Sequence, residues 1–170
     1  MKRSIINMTG AMTFVAILFT FVACGQQPAS PPATATGEIN GANITINYSS
    51  PGVKGRVIWG ELVPYDELWR AGANAATTIE TSKDLKIEGK TLAAGKYSIF
   101  AIPGKSEWTM IFNTVPDQRG TGNYDESKDA LRVVVKPEKS SEMRERLAYL
   151  VESNAITLSW ENLNVSMEVQ

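Results

Sequence analysis

The sequence predicts an all-β fold, an antiparallel β-sandwich or open barrel with one or two short helical turns, and two observations lead there. Apolar and polar residues alternate with a period of two through most of residues 38–170, as they do in strands that bury one face. The alternating segments recur at intervals of roughly 8–12 residues and are separated by Gly and Pro, which is typical of antiparallel sandwiches and barrels.

Individual strands follow from this alternation. In ANITINYS, Ile44, Ile46 and Tyr48 alternate with polar neighbours, so one face of this strand is predicted to be buried. The pair Glu88-Gly89, between two short apolar segments, predicts a tight hairpin. The predicted strands are Ala42–Ser49, Ala76–Ser82, Gly95–Pro103, Ser106–Asn113, Leu131–Pro137, Ala155–Asn162 and Asn164–Gln170.

The stretch SSEMRERLAYLVE fits two patterns at once. Its apolar residues match a helical spacing, and over the second half of the stretch they also alternate as in a strand. We predict a helical turn at Ser141–Met143, followed by a strand from Arg146 to Glu152.

Residues 1–23 are predicted to be a lipoprotein signal peptide. Two cations near the start form a positive n-region, and the apolar segment from Ala11 to Ala23 is too short to cross a hydrocarbon core about 30 Å thick. The segment ends in FVAC, where Cys24 is the single cysteine of the chain. This ending resembles the lipobox of bacterial lipoproteins, in which the cysteine is diacylated. The alternative is a plain secreted protein, but a free thiol is a liability in an oxidising compartment, which favours lipidation.

Residues 24–37 are predicted to be a flexible tether, because GQQPASPPATATG has no charge and cannot form a core. Residues 38–170 then form a single β-sandwich domain that is long enough to bury a core without disulfides. The 17 cations and 18 acids give a net charge of −1, which becomes −3 when Lys2 and Arg3 leave with the signal. This balance excludes nucleic acid as a partner. We expect a cell-envelope protein, held on the membrane by an N-terminal lipid, with its domain in the periplasm or at the outer cell surface.

Residues 54–74, KGRVIWGELVPYDELWRAGAN, interrupt the strand pattern. GRVIWG is predicted to finish a strand. PYDELW is predicted to form one turn of helix, because Pro64 presets a helical backbone and Asp66 suits the positive end of the turn. The segment is therefore a crossover between strands. Two uses stay open for it: it closes one end of the sandwich with apolar side chains, or it forms a recognition surface.

Four segments carry a resemblance to a known family. They are SPGVKGRVIWGELVPYDELWRAGANAATT, GKTLAAGKYSIFAIPGKSEWTMIFN, YDESKDALRVVVKP and LSWENLNVSMEV. All four resemble a family of exported bacterial proteins catalogued as a domain of unknown function, family twenty-nine eleven, over about Tyr48 to Val169. The resemblance implies an all-β, exported and often lipid-anchored protein, and it implies no reaction, cofactor or mapped site.

The residue types limit the available chemistry. The chain contains no histidine, which removes the commonest general base and zinc ligand, and its single cysteine is assigned to the lipid. We therefore assign no catalytic residue, no metal and no cofactor. Paired carboxylates would still permit glycoside hydrolysis. Glu161, next to Trp160, is either half of a buried ion pair with Arg56 or Arg70 or a catalytic carboxylate.

The candidate binding residues are Arg56, Trp69, Arg70, Asn74 and Glu161. Aromatic rings stack on sugars or apolar groups, guanidinium and amide groups donate to carboxylates or glycan oxygens, and Trp and Arg dominate many protein interfaces. We expect Trp59 to be structural and the Trp69–Arg70 pair to be partly exposed. The sequence thus indicates a lipid-anchored extracytoplasmic binding or structural module whose partner is a glycan or an envelope protein. The alternative is a cell-envelope hydrolase that acts on a glycan through paired carboxylates.

Overall fold

The computed structural model describes residues 29–170. In this range the chain forms ten strands and one turn of 3-10 helix. The strands are β1 (Pro32–Ile39), β2 (Ala42–Ser49), β3 (Thr77–Thr81), β4 (Leu85–Ile87), β5 (Lys90–Leu92), β6 (Gly95–Pro103), β7 (Trp108–Asn113), β8 (Asp129–Val135), β9 (Pro137–Val151) and β10 (Ala155–Glu168), and the 3-10 turn is Glu126–Lys128.

All pairs of neighbouring strands are antiparallel. Six strands form one sheet in the order β1-β2-β3-β6-β7-β8, and the long strands β9 and β10 form a separate two-stranded ribbon. A small β4–β5 hairpin joins the ribbon through a bridge between Ile87 and Val169. The predicted all-β antiparallel sandwich is confirmed.

The core lies between the six-stranded sheet and the ribbon. The sheet contributes alternate residues such as Ile44 and Ile46, because successive side chains of a strand point to opposite faces. The ribbon contributes Tyr149, Leu158 and Trp160 to the same apolar cluster. Full burial of a large aliphatic side chain contributes about 1.5–3 kcal/mol, so this layer stabilises the domain.

The hairpin between β4 and β5 is confirmed in position and in turn chemistry. Glu88 has a φ of 47° and Gly89 a φ of 76°. Positive φ at both central residues is the geometry of a two-residue type I′ turn, whose twist matches the flanking strands.

The first strand corrects the predicted tether. Residues 32–37, assigned above to the tether 24–37, form most of β1 and pair with β2. Thr and Ala alternate in this stretch, with exposed Thr and half-buried Ala positions, and an argument from composition alone misses that signal. Gly37 lets β1 approach the ribbon, because a Cβ there would lie 2.6 Å from Cγ1 of Val151. The predicted signal peptide and Cys24 lie outside the described residues.

Two predicted helical turns are wrong. Ser141–Met143 belongs to β9, where pairing with β10 satisfies the backbone. The PYDELW segment forms no helix, because Asp66 has a φ of 61° and its N–H donates to the carbonyl of Pro103 at 2.8 Å. Within the described residues the single turn of helix lies instead at Glu126–Lys128.

Two strand predictions also need correction. GRVIWG forms no strand and contributes only an isolated bridge between Trp59 and Val63. The two predicted C-terminal strands are one strand, β10, whose register shifts on both sides of Glu161. Glu161 has a φ of 54°, so the strand continues through an irregularity that the sequence pattern reads as a break.

Candidate functional site

The candidate site is formed around the crossover, residues 50–76, which connects β2 to β3. The crossover has no regular structure, yet its backbone is bonded to the sandwich. The N–H of Trp69 donates to the carbonyl of Ala101 at 2.7 Å, and the N–H of Ala101 donates back at 2.8 Å. The buried hydroxyl of Tyr149 donates to the carbonyl of Ala71 at 2.9 Å. These bonds hold the crossover against one end of the core.

All four tryptophans of the chain meet under the crossover. The ring centroid of Trp59 lies 5.0 Å from that of Trp108, 5.6 Å from that of Trp160 and 6.0 Å from that of Trp69. Trp69 and Trp160 are stacked at 6.1 Å with 16° between their planes. Each such pair contributes about 0.5–1.5 kcal/mol beyond the burial of its area. We call these four residues the tryptophan cluster.

The two tryptophans of the crossover have similar environments. Both Trp59 and Trp69 are half-buried and pack against the core, whereas Trp108 and Trp160 are only 1% exposed. Trp59 was expected to be structural and Trp69 to be partly exposed. In the structure both are half-buried members of one cluster, but they differ in which groove they line and in whether the indole N–H has a partner.

Several polar atoms in this cluster have no hydrogen-bond partner. The indole N–H groups of Trp59, Trp108 and Trp160 are buried and unpaired among the described protein atoms, and so is Nε of Arg70. Only the indole of Trp69 donates to a carbonyl, that of Gly72, at 3.2 Å. A buried donor without a partner costs about 1–3 kcal/mol, so aromatic packing outweighs polar pairing in this region.

A groove of about 580 Å³ opens beside Trp59, and we call it the basic groove. It is lined by three cations, Arg56, Lys105 and Lys139, and by one acid, Glu161. In residues 29–170 none of these four side chains forms an ion pair within 4.0 Å. The other lining residues are Gly55, Val57, Ile58, Trp59, Tyr65, Gly104, Pro137, Asn162 and Leu163. This excess of unpaired positive charge suits an anionic ligand.

Two cations of the basic groove are held in place. Arg56 donates through Nε to the carbonyl of Val53 at 3.1 Å and through Nη2 to the carbonyl of Gly52 at 2.5 Å. Nζ of Lys105 lies 5.9 Å from the ring centroid of Tyr65, within the range of a cation–π contact. Because these groups are already oriented, a ligand loses less side-chain entropy on binding to them.

A second groove of about 210 Å³ shares Arg56 with the first, and we call it the arginine groove. Arg56 and Arg70 supply its charge, and the stacked Trp69 and Trp160 form its aromatic wall. The other lining residues are Ser30, Pro51, Leu62, Val63, Gly72 and Ala73. No carboxylate is among its lining residues.

The five candidate binding residues are distributed over both grooves. Arg56 lines both of them, Glu161 lines the basic groove, and Trp69 and Arg70 line the arginine groove. Asn74 lines neither groove. It is exposed, and its side-chain amide donates to the carbonyl of residue 30 at 3.3 Å, so it fastens the start of the folded chain.

The ion pair expected for Glu161 does not form. In the described part of the chain no carboxylate lies within 4.0 Å of a nitrogen of Arg56 or Arg70. Glu161 lies opposite Arg144 in the pairing of β9 with β10, and its carboxylate lines the basic groove.

Two cations of the basic groove were not among the binding residues predicted from the sequence. Lys105 lies in the turn between β6 and β7, and Lys139 lies near the start of β9. Each is a single lysine in a polar stretch, and neither stands out from other surface lysines. They become part of the site only because the sandwich places both segments beside the crossover.

The outer face of the six-stranded sheet carries a separate polar network. The carboxylate of Asp129 accepts from the hydroxyl of Tyr124 at 2.6 Å, from Nε of Arg132 at 2.7 Å and from Nδ2 of Asn113 at 2.8 Å. Partial burial, together with the bond to Asp129, raises the pKa of Tyr124 to about 12. The network fastens residues 114–128 over this face, so we assign it a structural role.

No group of three or more His, Cys, Asp or Glu side chains that could hold a metal occurs in residues 29–170. Across the same residues, no helix has the length and apolar character that crossing a membrane requires.

The comparison with protein families gives one match. The model of the family described as "Protein of unknown function (DUF2911)" matches residues 30–169. The matched range contains all ten strands and the lining residues of both grooves, and it confirms the family to which the four segments point. No curated protein and no solved structure matches the chain.

Proposed function

Because the chain belongs to the DUF2911 family, whose description states no function, we propose its function from the site itself. The protein is a binding module of the bacterial cell envelope, anchored by a lipid on Cys24, and it takes an acidic glycan in the basic groove. One observation carries this proposal: the groove has three cations against one acid, none of them in an ion pair within residues 29–170.

The other lining residues of the basic groove support a carbohydrate ligand. Trp59 and Tyr65 contribute aromatic rings to the lining, and Asn162 and Glu161 can form hydrogen bonds to sugar hydroxyl groups. Lysine and arginine then meet the carboxylates of an acidic sugar. A volume of about 580 Å³ lies within the range usual for small-molecule sites, about 300–1,000 Å³.

Export and lipidation belong to the same proposal, and they rest on the sequence around Cys24. We expect wild-type protein to partition with membranes, and Cys24→Ser to be released or to keep its signal peptide. Intact-mass spectrometry of membrane-extracted protein should find Cys24 acylated. An unmodified Cys24 in that fraction would contradict the anchor.

A glycan hydrolase is the alternative function, and its support is weaker. Such enzymes need two carboxylates on either side of the scissile bond, and Glu161 is the single carboxylate among the lining residues of the basic groove. Glu88, Glu138 and Glu168 line another groove of about 370 Å³, which has no aromatic ring among its lining residues. Release of reducing ends by the wild type and not by Glu161→Gln would favour the hydrolase.

The binding proposal is tested with residues 29–170, which contain the whole described core. Oligogalacturonate is the acidic probe, and maltohexaose is the neutral one. By calorimetry the wild type should prefer the acidic probe. The double variant Lys105→Glu/Lys139→Glu should weaken that binding by at least about tenfold, since it replaces two charge-assisted contacts with repulsion.

A charge-matched control separates the groove from the overall charge of the protein. Lys86→Glu/Lys96→Glu makes the same change in net charge at two exposed lysines that line neither groove. This control should bind like the wild type. Equal losses in both double variants, or equal affinity for the neutral probe, would contradict an acidic-glycan site in the basic groove.

A further inference from the structure

We propose that the loop of residues 57–63 rests on an anionic membrane surface when the chain is anchored, with the two grooves beside it. The distance argument for this contact rests on the lipid anchor of the proposed function. The chemistry of the loop does not depend on the anchor.

The loop projects two apolar side chains into solvent. Val57 is 57% exposed and Leu62 is 43% exposed. They are held side by side, because the N–H of Leu62 donates to the carbonyl of Val57 at 3.3 Å and that of Val63 to Ile58 at 2.9 Å. Ile58 and Val63 are buried in the core. The apolar pair is therefore fixed on the domain and does not fold back onto it.

Cations surround this apolar pair. Exposed apolar side chains flanked by cations are typical of protein segments that lie at a membrane interface. Leu62 shares the arginine groove with the guanidinium groups there, and Val57 shares the basic groove with its lysines. The one acid of the loop is Glu61, which is exposed. The surrounding cations are Arg56, Arg70 and Lys105, and Glu161 is the one acid that lines the grooves with them.

The anchored end of the chain enters the domain at this same place. Ser30 lines the arginine groove together with Leu62, and Asn74 bonds its carbonyl. Only six residue steps separate Cys24 from Ser30, and six residues span at most about 20 Å in any conformation. A lipid on Cys24 therefore keeps the arginine groove within about 20 Å of the membrane surface, where anionic headgroups attract cations.

The position of β1 limits how far the domain can lie from the anchor. A tether that continued to residue 37 would let the domain move much farther from the membrane and turn freely. Because β1 begins at Pro32 and is paired along its length with β2, few residues lie between Cys24 and the sheet. Contact through loop 57–63 would then fix which way the two grooves open.

The test measures co-sedimentation of unlipidated residues 29–170 with phosphatidylcholine vesicles, with and without phosphatidylglycerol. Binding is expected only when the anionic lipid is present. Leu62→Asp should weaken it by at least about tenfold, since it adds a negative charge and removes an apolar contact. Glu61→Lys should strengthen it by about fivefold or more, as expected for a charge reversal near an anionic surface.

Val57→Asp and Val134→Asp form a matched pair of variants. Both valines are 57% exposed, but Val134 lies on β8 and lines neither groove. Val57→Asp should lose vesicle binding, and Val134→Asp should keep it. Equal losses in both variants, or no binding of the wild type to anionic vesicles, would overturn the membrane contact.

Two further measurements keep this inference separate from the proposed function. Binding of inorganic phosphate without binding of anionic vesicles would mean that the cations take free anions, and the membrane contact would be wrong. Oligogalacturonate is titrated in the same samples. A wild type that binds anionic vesicles but not oligogalacturonate counts against the acidic-glycan site, whereas a wild type that binds oligogalacturonate but not anionic vesicles counts against the membrane contact.

Discussion

The loop over the outer face of the sheet and the crossover at the end of the core are held in different ways. The outer loop is fastened by polar groups, and the carboxylate of Asp129 alone accepts three hydrogen bonds. The crossover is held by a few hydrogen bonds, such as those between Trp69 and Ala101, and by the packing of the tryptophan cluster. Six buried side-chain N or O atoms of the described residues lack a partner among the protein atoms: three are indole N–H groups of this cluster, a fourth is Nε of Arg70, and one, Oε1 of Gln118, lies in the outer loop.

This difference is the reason for placing the proposed binding site at the crossover. A network whose members satisfy one another fixes a loop and leaves little for a ligand to bind. In the crossover region three indole N–H groups and Nε of Arg70 have no partner among the described protein atoms, and cations line two grooves next to the aromatic rings. Natural proteins break such rules at functional sites, where some stability is given up for function.

The largest expected effect is at the centre of the tryptophan cluster. Trp160→Ala should lower the free energy of unfolding by about 3–5 kcal/mol, because it removes a fully buried aromatic ring and leaves a cavity. Urea denaturation of residues 29–170 measures this change. A loss below about 1 kcal/mol would mean that aromatic packing does not hold the crossover.

A smaller effect is expected in the outer network. Asp129→Ala should lower the free energy of unfolding by about 2–3 kcal/mol, because it leaves donors of Arg132, Tyr124 and Asn113 without their acceptor. The control is Glu126→Ala, which removes another partner of Arg132. The side chain of Glu126 is 73% exposed and that of Asp129 is 8% exposed, so the control should stay within about 0.5 kcal/mol of the wild type. Equal losses would show that burial does not decide the strength of the network.

The smallest effect is a dependence on alkaline pH. The pKa of Tyr124 is about 12 in the folded protein and near 10 in an unfolded chain. The folded state therefore holds this proton more tightly, and its contribution to stability is present below pH 10 and lost between about pH 10 and pH 12. Comparison of urea unfolding of the wild type and Tyr124→Phe across this range should show their difference shrinking. A constant difference would contradict the shift in pKa.

Much of the fold can be predicted from the sequence, because apolar and polar residues alternate along a strand that has one buried face. The bounds of β2 and β6 are predicted to the residue. The failures have a common cause in partners that lie far away in sequence. Ser141–Met143 is a strand because β10 pairs with it, and Asp66 leaves helical geometry because its N–H donates to Pro103. The start of β1 was assigned to the tether because its uncharged composition was considered and the alternation of Thr and Ala was not.

The candidate site is less predictable than the fold. Arg56, Trp69 and Arg70 are found because an irregular segment rich in Trp and Arg stands out against alternating strands. Lys105 and Lys139 come from other segments and are joined to the site only by the tertiary fold. No local pattern marks a lysine that will line a groove, because its neighbours are set by strand packing.

The most direct test of the basic groove follows the four indole N–H signals in the proton–nitrogen correlation NMR spectrum of residues 29–170. Trp59 lines the basic groove, Trp69 and Trp160 line the arginine groove, and Trp108 lines neither. Titration with oligogalacturonate should move the Trp59 signal more than the signals of Trp69 and Trp160. Shifts confined to Trp69 and Trp160, or no shift at saturating probe, would contradict binding of an acidic glycan in the basic groove.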